Sequence, residues 1–149
     1  MIIREYRSED CKELTELFYN TVHTVNAKDY TEAQLDVWAP NLADLENWNR
    51  SLLKNYSLIT VENNIITGFG DIDKSGYLDR LYVHKDYQRR HIASQICDKL
   101  EQKIRGKIVT HASVTAKPFF EKRGYKTVKE QQVIRRGITL TNFIMEKYV

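Results

Sequence analysis

Cysteine is scarce: the 149 residues include only Cys11 and Cys97. Two thiols so far apart make no disulfide framework, and neither has metal-ligand spacing, so no metal is expected. Both fall on predicted helices, where a small thiol usually serves as a buried side chain. No apolar run approaches the roughly 20 residues that span a bilayer as a helix. The opening Met1-Ile2-Ile3-Arg4-Glu5 is charged at once and has no signal-peptide character. These absences predict a soluble protein of a reducing compartment, most simply the cytoplasm, with no membrane partner. An excess of one charge is also missing. The net charge of +3 is too small to argue for nucleic acid. Tyrosines are numerous but scattered, and they form no stacking motif. There is no internal repeat, low-complexity tract or linker. What remains is an ordinary globular composition, expected to fold as one domain over residues 1–149 and to bury roughly two-thirds of its unfolded surface.

Hydrophobic periodicity and turn residues divide the chain. Ile2 to Arg7 reads as a strand, and Ser8 as the cap of a helix running to about Thr24. Thr31-Glu32-Ala33-Gln34 has the form of a capping box, and Pro40 ends the short helix that it opens. Asp44 to Leu53 reads as a helix with Leu45, Trp48 and Leu52 inward. Strands follow at Tyr56–Glu62, Ile65–Asp73 and Tyr77–Val83, the first two joined by the turn signal Asn63-Asn64. A helix from about His91 to about Arg105 is closed by Gly106. Then come a short strand Ile108–His111, a helix capped by Thr115 and ending at Arg123, and an antiparallel pair, Tyr125–Val133 and Ile138–Lys147. The pattern predicts an α/β (α+β) fold: one mixed, mainly antiparallel twisted sheet with helices on both faces. The strands at 77–83 and 108–111 flank a helix as a central parallel βαβ unit requires.

The chain is organised around Val83-His84-Lys85-Asp86-Tyr87-Gln88-Arg89-Arg90-His91-Ile92-Ala93-Ser94, a strand end, a basic turn and a helix start. A helix N-terminus presents unpaired N–H groups and the positive end of a dipole. Arg89 and Arg90 add full charges, and together these make a cradle for a pyrophosphate. The same residues also suit a solvated loop before an amphipathic helix. The string resembles the coenzyme A pyrophosphate loop of the GNAT N-acetyltransferase superfamily, Gln/Arg-x-x-Gly-x-Gly/Ala after a strand valine. Gln88, Ile92 and Ala93 match in place after Val83, while His91 stands where the family usually has glycine. A second stretch, Ser113-Val114-Thr115-Ala116-Lys117-Pro118-Phe119-Phe120-Glu121-Lys122-Arg123-Gly124-Tyr125, resembles the family's Asn-x-x-Ala-x-x-Phe-Tyr-x-x-x-Gly-Phe through Ala116, Phe119, Gly124 and Tyr125. The two matches cover residues 77–125. Phe120 departs from a pattern that often has tyrosine, whose hydroxyl can protonate the departing thiolate. Ser113 and Tyr82 are possible substitutes.

The resemblance implies a GNAT-type fold and acetyl-CoA as cofactor. It implies a cofactor site at Leu81, Tyr82, Val83, Gln88, Arg89, Arg90, His91, Ile92, Ala93, Ser94, Ser113, Ala116, Phe119 and Phe120. Some members carry a glutamate four residues before the matching valine, and Asp79 occupies that place. As a base or amine holder Asp79 would work from the acceptor end; an ion pair with Arg80 or Lys85 is the competing role. Strand alternation puts Asp79, Leu81 and Val83 on one face. His111, at a strand end, is a second candidate base, or a structural hydrogen-bonder. Family members usually wall the acceptor pocket with the first helix-loop-helix, which implicates His23, Tyr30 and Trp38. The string around these residues resembles a group of small bacterial GNAT proteins. The expected activity is transfer of an acetyl group from acetyl-CoA to a small-molecule amine, in a ternary complex, by a monomer or homodimer. A coenzyme A-binding regulatory module with little turnover is the alternative. A nucleic-acid module using Arg89, Arg90, Arg135 and Arg136 ranks last, because the basic pairs lack interleaved aromatics.

Overall fold

The computed structural model describes all 149 residues. Seven strands form one sheet: β1 (Ile2–Glu5), β2 (Tyr56–Glu62), β3 (Ile65–Ile72), β4 (Tyr77–Val83), β5 (Lys107–Ser113), β6 (Lys126–Arg135) and β7 (Ile138–Tyr148). Their order is β1-β2-β3-β4-β5-β7-β6, and every pairing is antiparallel except β4 with β5. Five helices cover the faces: α1 (Cys11–Thr24), α2 (Glu32–Trp38), α3 (Leu45–Lys54), α4 (Ile92–Glu101) and α5 (Lys117–Lys122). No helix is long and apolar enough to cross a membrane.

Alternation along the strands divides the core into two layers. Leu58, Leu78, Ile108 and Met145 point to one side and pack against Ile92, Ile96, Cys97 and Leu100 of α4 and Phe120 of α5. Ile59, Ile66 and Phe69 point to the other side, against Leu14 and Leu17 of α1 and Leu52 of α3. The two cysteines are buried in different layers. Burial pushes the Cys97 thiol up to about 12, which leaves it inert.

Two glycines set the distance between sheet and helix on the α4 side. A Cβ on Gly68 would stand 2.9 Å from Cγ2 of Ile92, and one on Gly70 2.9 Å from Cγ2 of Ile96 and 3.1 Å from the carbonyl oxygen of Arg80. The missing side chains let α4 lie directly on β3, which fixes where its N-terminus emerges. The far end of α4 is tied down by Glu101. It accepts from Arg123 Nε at 2.7 Å, Tyr125 Oη at 2.7 Å and Lys147 Nζ at 3.1 Å. These donors hold the Glu101 carboxyl below its ordinary value, against the opposing effect of burial.

Element bounds differ from the sequence-based expectation in instructive places. The first helix opens with a 3-10 turn at Ser8–Asp10, and Ser8 is not its cap. Leu45 is exposed rather than inward, since α3 buries mainly Leu52. The helix expected to reach Arg105 ends at Glu101 and gives way to turns. Thr115 caps nothing: its hydroxyl donates to Asp29 Oδ2 at 2.7 Å, while Ser113 Oγ accepts from Ala116 N. The box at Thr31 and Gln34 forms as expected, with both reciprocal bonds present.

Candidate active site

Strands β4 and β5 pair only at Tyr77 with Val109 and Leu78 with Thr110. Beyond that point β4 continues with β3 and β5 with β7, so the two separate. Parallel neighbours that part company leave a wedge in the sheet. On the helix-turn side the wedge meets the loop that leads into α4. There His91 adopts φ +61° and ψ +18°, the left-handed conformation that glycine takes without strain. Its side chain makes no capping hydrogen bond. Gln88 Nε2 donates to the Val83 carbonyl at 2.7 Å and braces the turn. The backbone N–H groups of Arg89, Arg90, His91, Ile92, Ala93 and Ser94 donate to no protein acceptor. Six consecutive unused donors at the start of a ten-residue helix fit the phosphates of a nucleotide-type cofactor.

A cleft of about 990 Å³ runs from Gln88 and Ala93 through the wedge to the opposite face of the sheet. Its inner wall carries Leu81, Tyr82 and Val83, and its floor Ala116, Phe119 and Phe120. Phe120 is buried edge-on against Phe119 and Tyr125, so no hydroxyl stands there. Tyr82 packs among Phe18, Trp38 and Phe69, and burial pushes its hydroxyl up. Tyr30 bridges the cleft: its hydroxyl donates to the Thr141 carbonyl and accepts from Val114 N, both at 2.8 Å. That bond pair ties the segment before α2 to β7 and to the loop after β5.

On the far face, β4 bulges. Asp71 pairs with Arg80 and Ile72 with Leu78, which leaves Asp79 without a partner. The bulge overturns the expected alternation. Leu81 and Val83 pack with the α4 layer, whereas the Asp79 carboxylate bonds Arg80 NH2 at 3.1 Å. Arg80 in turn lies 4.9 Å over the Trp48 ring, donates to Ser51 and pairs with Asp71 at 3.2 Å. Asp71 is fully buried, and burial pushes its carboxyl up to about 6 against the pull of Arg80 and Asn55. His111 faces the same cleft, its ring 5.2 Å from Tyr77 and its Nδ1 3.5 Å from Gln131 Nε2.

The GNAT acetyltransferase domain model matches residues 26–147. The chain belongs to this family. It is 35% identical over 144 residues to an uncharacterized N-acetyltransferase, YafP, of Escherichia coli K12, covering 96% of this chain and 93% of the relative. A crystal structure of a GCN5-related N-acetyltransferase from Rhodopseudomonas palustris superposes with a TM-score of 0.94 at 29% identity, over 99% of this chain and 95% of that one. The fold is also that of PaiA N-acetyltransferase from Thermoplasma acidophilum, solved with coenzyme A. That match has a TM-score of 0.79 and 18% identity over 99% and 98% of the two chains.

Seen as a GNAT site, the residues expected from sequence fall into three groups. Leu81, Tyr82, Val83, Gln88, Ala93, Ser113, Ala116, Phe119 and Phe120 line the cleft together with Asp79, His111, Tyr30 and Trp38. Arg89, Arg90, His91, Ile92 and Ser94 present backbone N–H groups that no protein acceptor uses. The Ile92 side chain is core, and the Arg90 guanidinium lies 4.9 Å over the Tyr87 ring and 3.9 Å from Glu62. His23 does not reach the cleft. It stacks 4.2 Å from Tyr19 and bonds the Ala39 carbonyl at 2.8 Å, holding the loop after α2. Sequence reasoning named Arg80 only as an ion-pair partner for Asp79, a pair that forms at 3.1 Å; it missed Gln131, Thr141 and Asn142, and it assigned Arg135 and Arg136 elsewhere. Most of these sit on the β6–β7 hairpin, which carries no family motif. The alternation Gln131, Val133, Arg135 was the available signal.

Proposed function

We propose that the protein is an acetyl-CoA-dependent N-acetyltransferase that passes the acetyl group directly to the amine of a small molecule. The observation that carries this reading is the row of six unused N–H groups opening into a cleft that crosses the sheet. Phosphates fit the row, and the wedge between β4 and β5 admits an extended acyl chain. The thioester supplies the activated acetyl group. The Asp79 carboxylate, already holding one cation at 3.1 Å, draws a protonated amine to the acceptor end and orients it. His111 takes the first of the ammonium's protons, imidazole being the commonest general base, and the neutral amine then attacks the thioester carbonyl. As the C–S bond breaks, the nitrogen gives up its second proton to water. No tyrosine replaces Phe120, so the thiolate leaves as such. A thiol of pKa about 8.5 needs little help to do so.

Thiol release from acetyl-CoA with a panel of amines, amino acids and peptides tests the reading. Binding of acetyl-CoA without release for any acceptor would refute transfer. His111→Gln is expected to lower kcat by about a hundredfold, the scale of general base catalysis. Asp79→Asn is expected to act mainly on the KM for the amine. A well-folded His111→Gln with the wild-type kcat would remove the base from His111.

A further inference from the structure

The cleft's acceptor end has an uneven charge inventory. Its ionisable side chains besides His111 and the tyrosines are Asp44, Asp79, Arg80, Arg135 and Arg136. Asp44 caps α3 through Asn47, with its oxygens 3.1 Å and 2.6 Å from the donors. Arg80 is satisfied by Asp71 and Asp79. Arg135 and Arg136 are in no ion pair and donate no side-chain hydrogen bond, although both line the cleft.

Their position follows from strand geometry. Residues two apart on a strand share a face. Gln131, Val133 and Arg135 all line the cleft, while Glu130, Gln132 and Ile134 do not. Gln131 reaches the ring of His111 on β5, so this face of β6 leans over the reacting end. The charge of Arg135 also acts on the hydroxyls of Tyr77 and Tyr82, both on β4, favouring their ionised forms against burial. Arg136 follows in the tight turn with φ +48°, beside Gly137 at +77°.

We infer that the acceptor carries a carboxylate in addition to its amine, held by Arg135 and Arg136 while Asp79 holds the ammonium. This rests on the transferase reading above and narrows its substrate class to amino-acid-like zwitterions. A guanidinium fork matches a carboxylate with two parallel hydrogen bonds, which fixes orientation as well as position. A carboxylate at one wall and an ammonium at the other point the molecule in one direction, with the nitrogen toward Asp79 and His111. A second cationic group on the acceptor, as in a polyamine, would face two uncompensated guanidiniums, and such acceptors are disfavoured.

The test compares acceptors that share an amine. Amino acids are measured against their methyl esters and against a linear diamine, with acetyl-CoA in excess. The acids are expected to have kcat/KM at least tenfold above the esters, and the diamine to be poorest. In the double variant Arg135→Gln, Arg136→Gln the KM for the acids is expected to rise tenfold or more, and the acid-over-ester preference to fall to about one. Wild-type protein that prefers esters or diamines, or a double variant that keeps the preference for acids, overturns the inference and leaves the transferase reading intact. If no amine releases thiol, the transferase reading fails. Calorimetry of N-acetyl amino acids against their N-acetyl amides on the coenzyme A-loaded protein then decides the anion site: tighter binding of the acids, lost in the double variant, supports it, and equal binding overturns it.

Discussion

His91→Gly tests the cradle most directly. His91 stands in the left-handed region at φ +61°, exposed, with no side-chain hydrogen bond. That conformation costs an L-residue about 1–2 kcal/mol, less for histidine than for a branched residue. Glycine removes the cost but enlarges the freedom of the unfolded chain, an opposing effect of about 0.4–1 kcal/mol. The balance predicts a gain of about 0–1 kcal/mol, or at most a few degrees in Tm for a chain of this size. The effect on the cofactor has the same sign. Without a Cβ the backbone N–H groups of the turn approach phosphates more closely, so acetyl-CoA affinity should stay level or improve severalfold. His91→Ala is the control. It deletes the imidazole but keeps the Cβ in the strained region, so it should lose stability and gain no affinity. Urea unfolding gives the stabilities and calorimetry the affinities. A tenfold loss of affinity in His91→Gly, about 1.4 kcal/mol, would show that the imidazole itself holds a phosphate. A stability loss above about 1 kcal/mol would show that the left-handed turn is not strained.

Two further predictions concern the scaffold that aims the cradle. Gly70→Ala forces a methyl to within 2.9 Å of Ile96 and 3.1 Å of a backbone oxygen that cannot swing aside; about 1–3 kcal/mol of stability should be lost, with weaker acetyl-CoA binding as α4 is displaced. Unchanged urea midpoint and affinity would mean that the helix rides on β3 with slack. Glu101→Gln should cost about 3 kcal/mol at neutral pH by leaving Arg123 and Lys147 short of a charge. Because the folded carboxyl titrates below its ordinary 4.5, this contribution is complete above that value and is lost as pH falls through the lower folded one. The gap between wild type and variant should therefore narrow on acidification, and a constant gap from pH 7 to pH 3 would refute the assignment.

Much of the fold was legible because local and global signals agree. Period-2 runs, the box at Thr31–Gln34 and the stripe of α4 specify elements whose formation depends on near neighbours. The turn into α4, whose N–H groups find no protein acceptor, was legible for the same reason. Gln88, the helix start and the strand before it lie within one short stretch, and even the glycine-like conformation at His91 was marked by its place in the pattern. The acceptor end was not legible in this way. That Asp79 bonds Arg80 instead of sharing the strand face of Leu81 depends on a bulge that arises only when β4 is paired with β3. That His23 braces Ala39 rather than lining the cleft depends on how the loop after α2 folds back. Arg135 is remote in sequence from Asp79. It comes to the same cleft only because β7 inserts between β5 and β6 and the face of β6 leans over His111. The sequence by itself determined the sheet, the helices and the basic turn that opens α4, through short-range pattern. Tertiary structure alone decided which charges meet at the acceptor end, because that depends on strand order, on one extra residue in β4 and on the burial that leaves some arginines paired and others free.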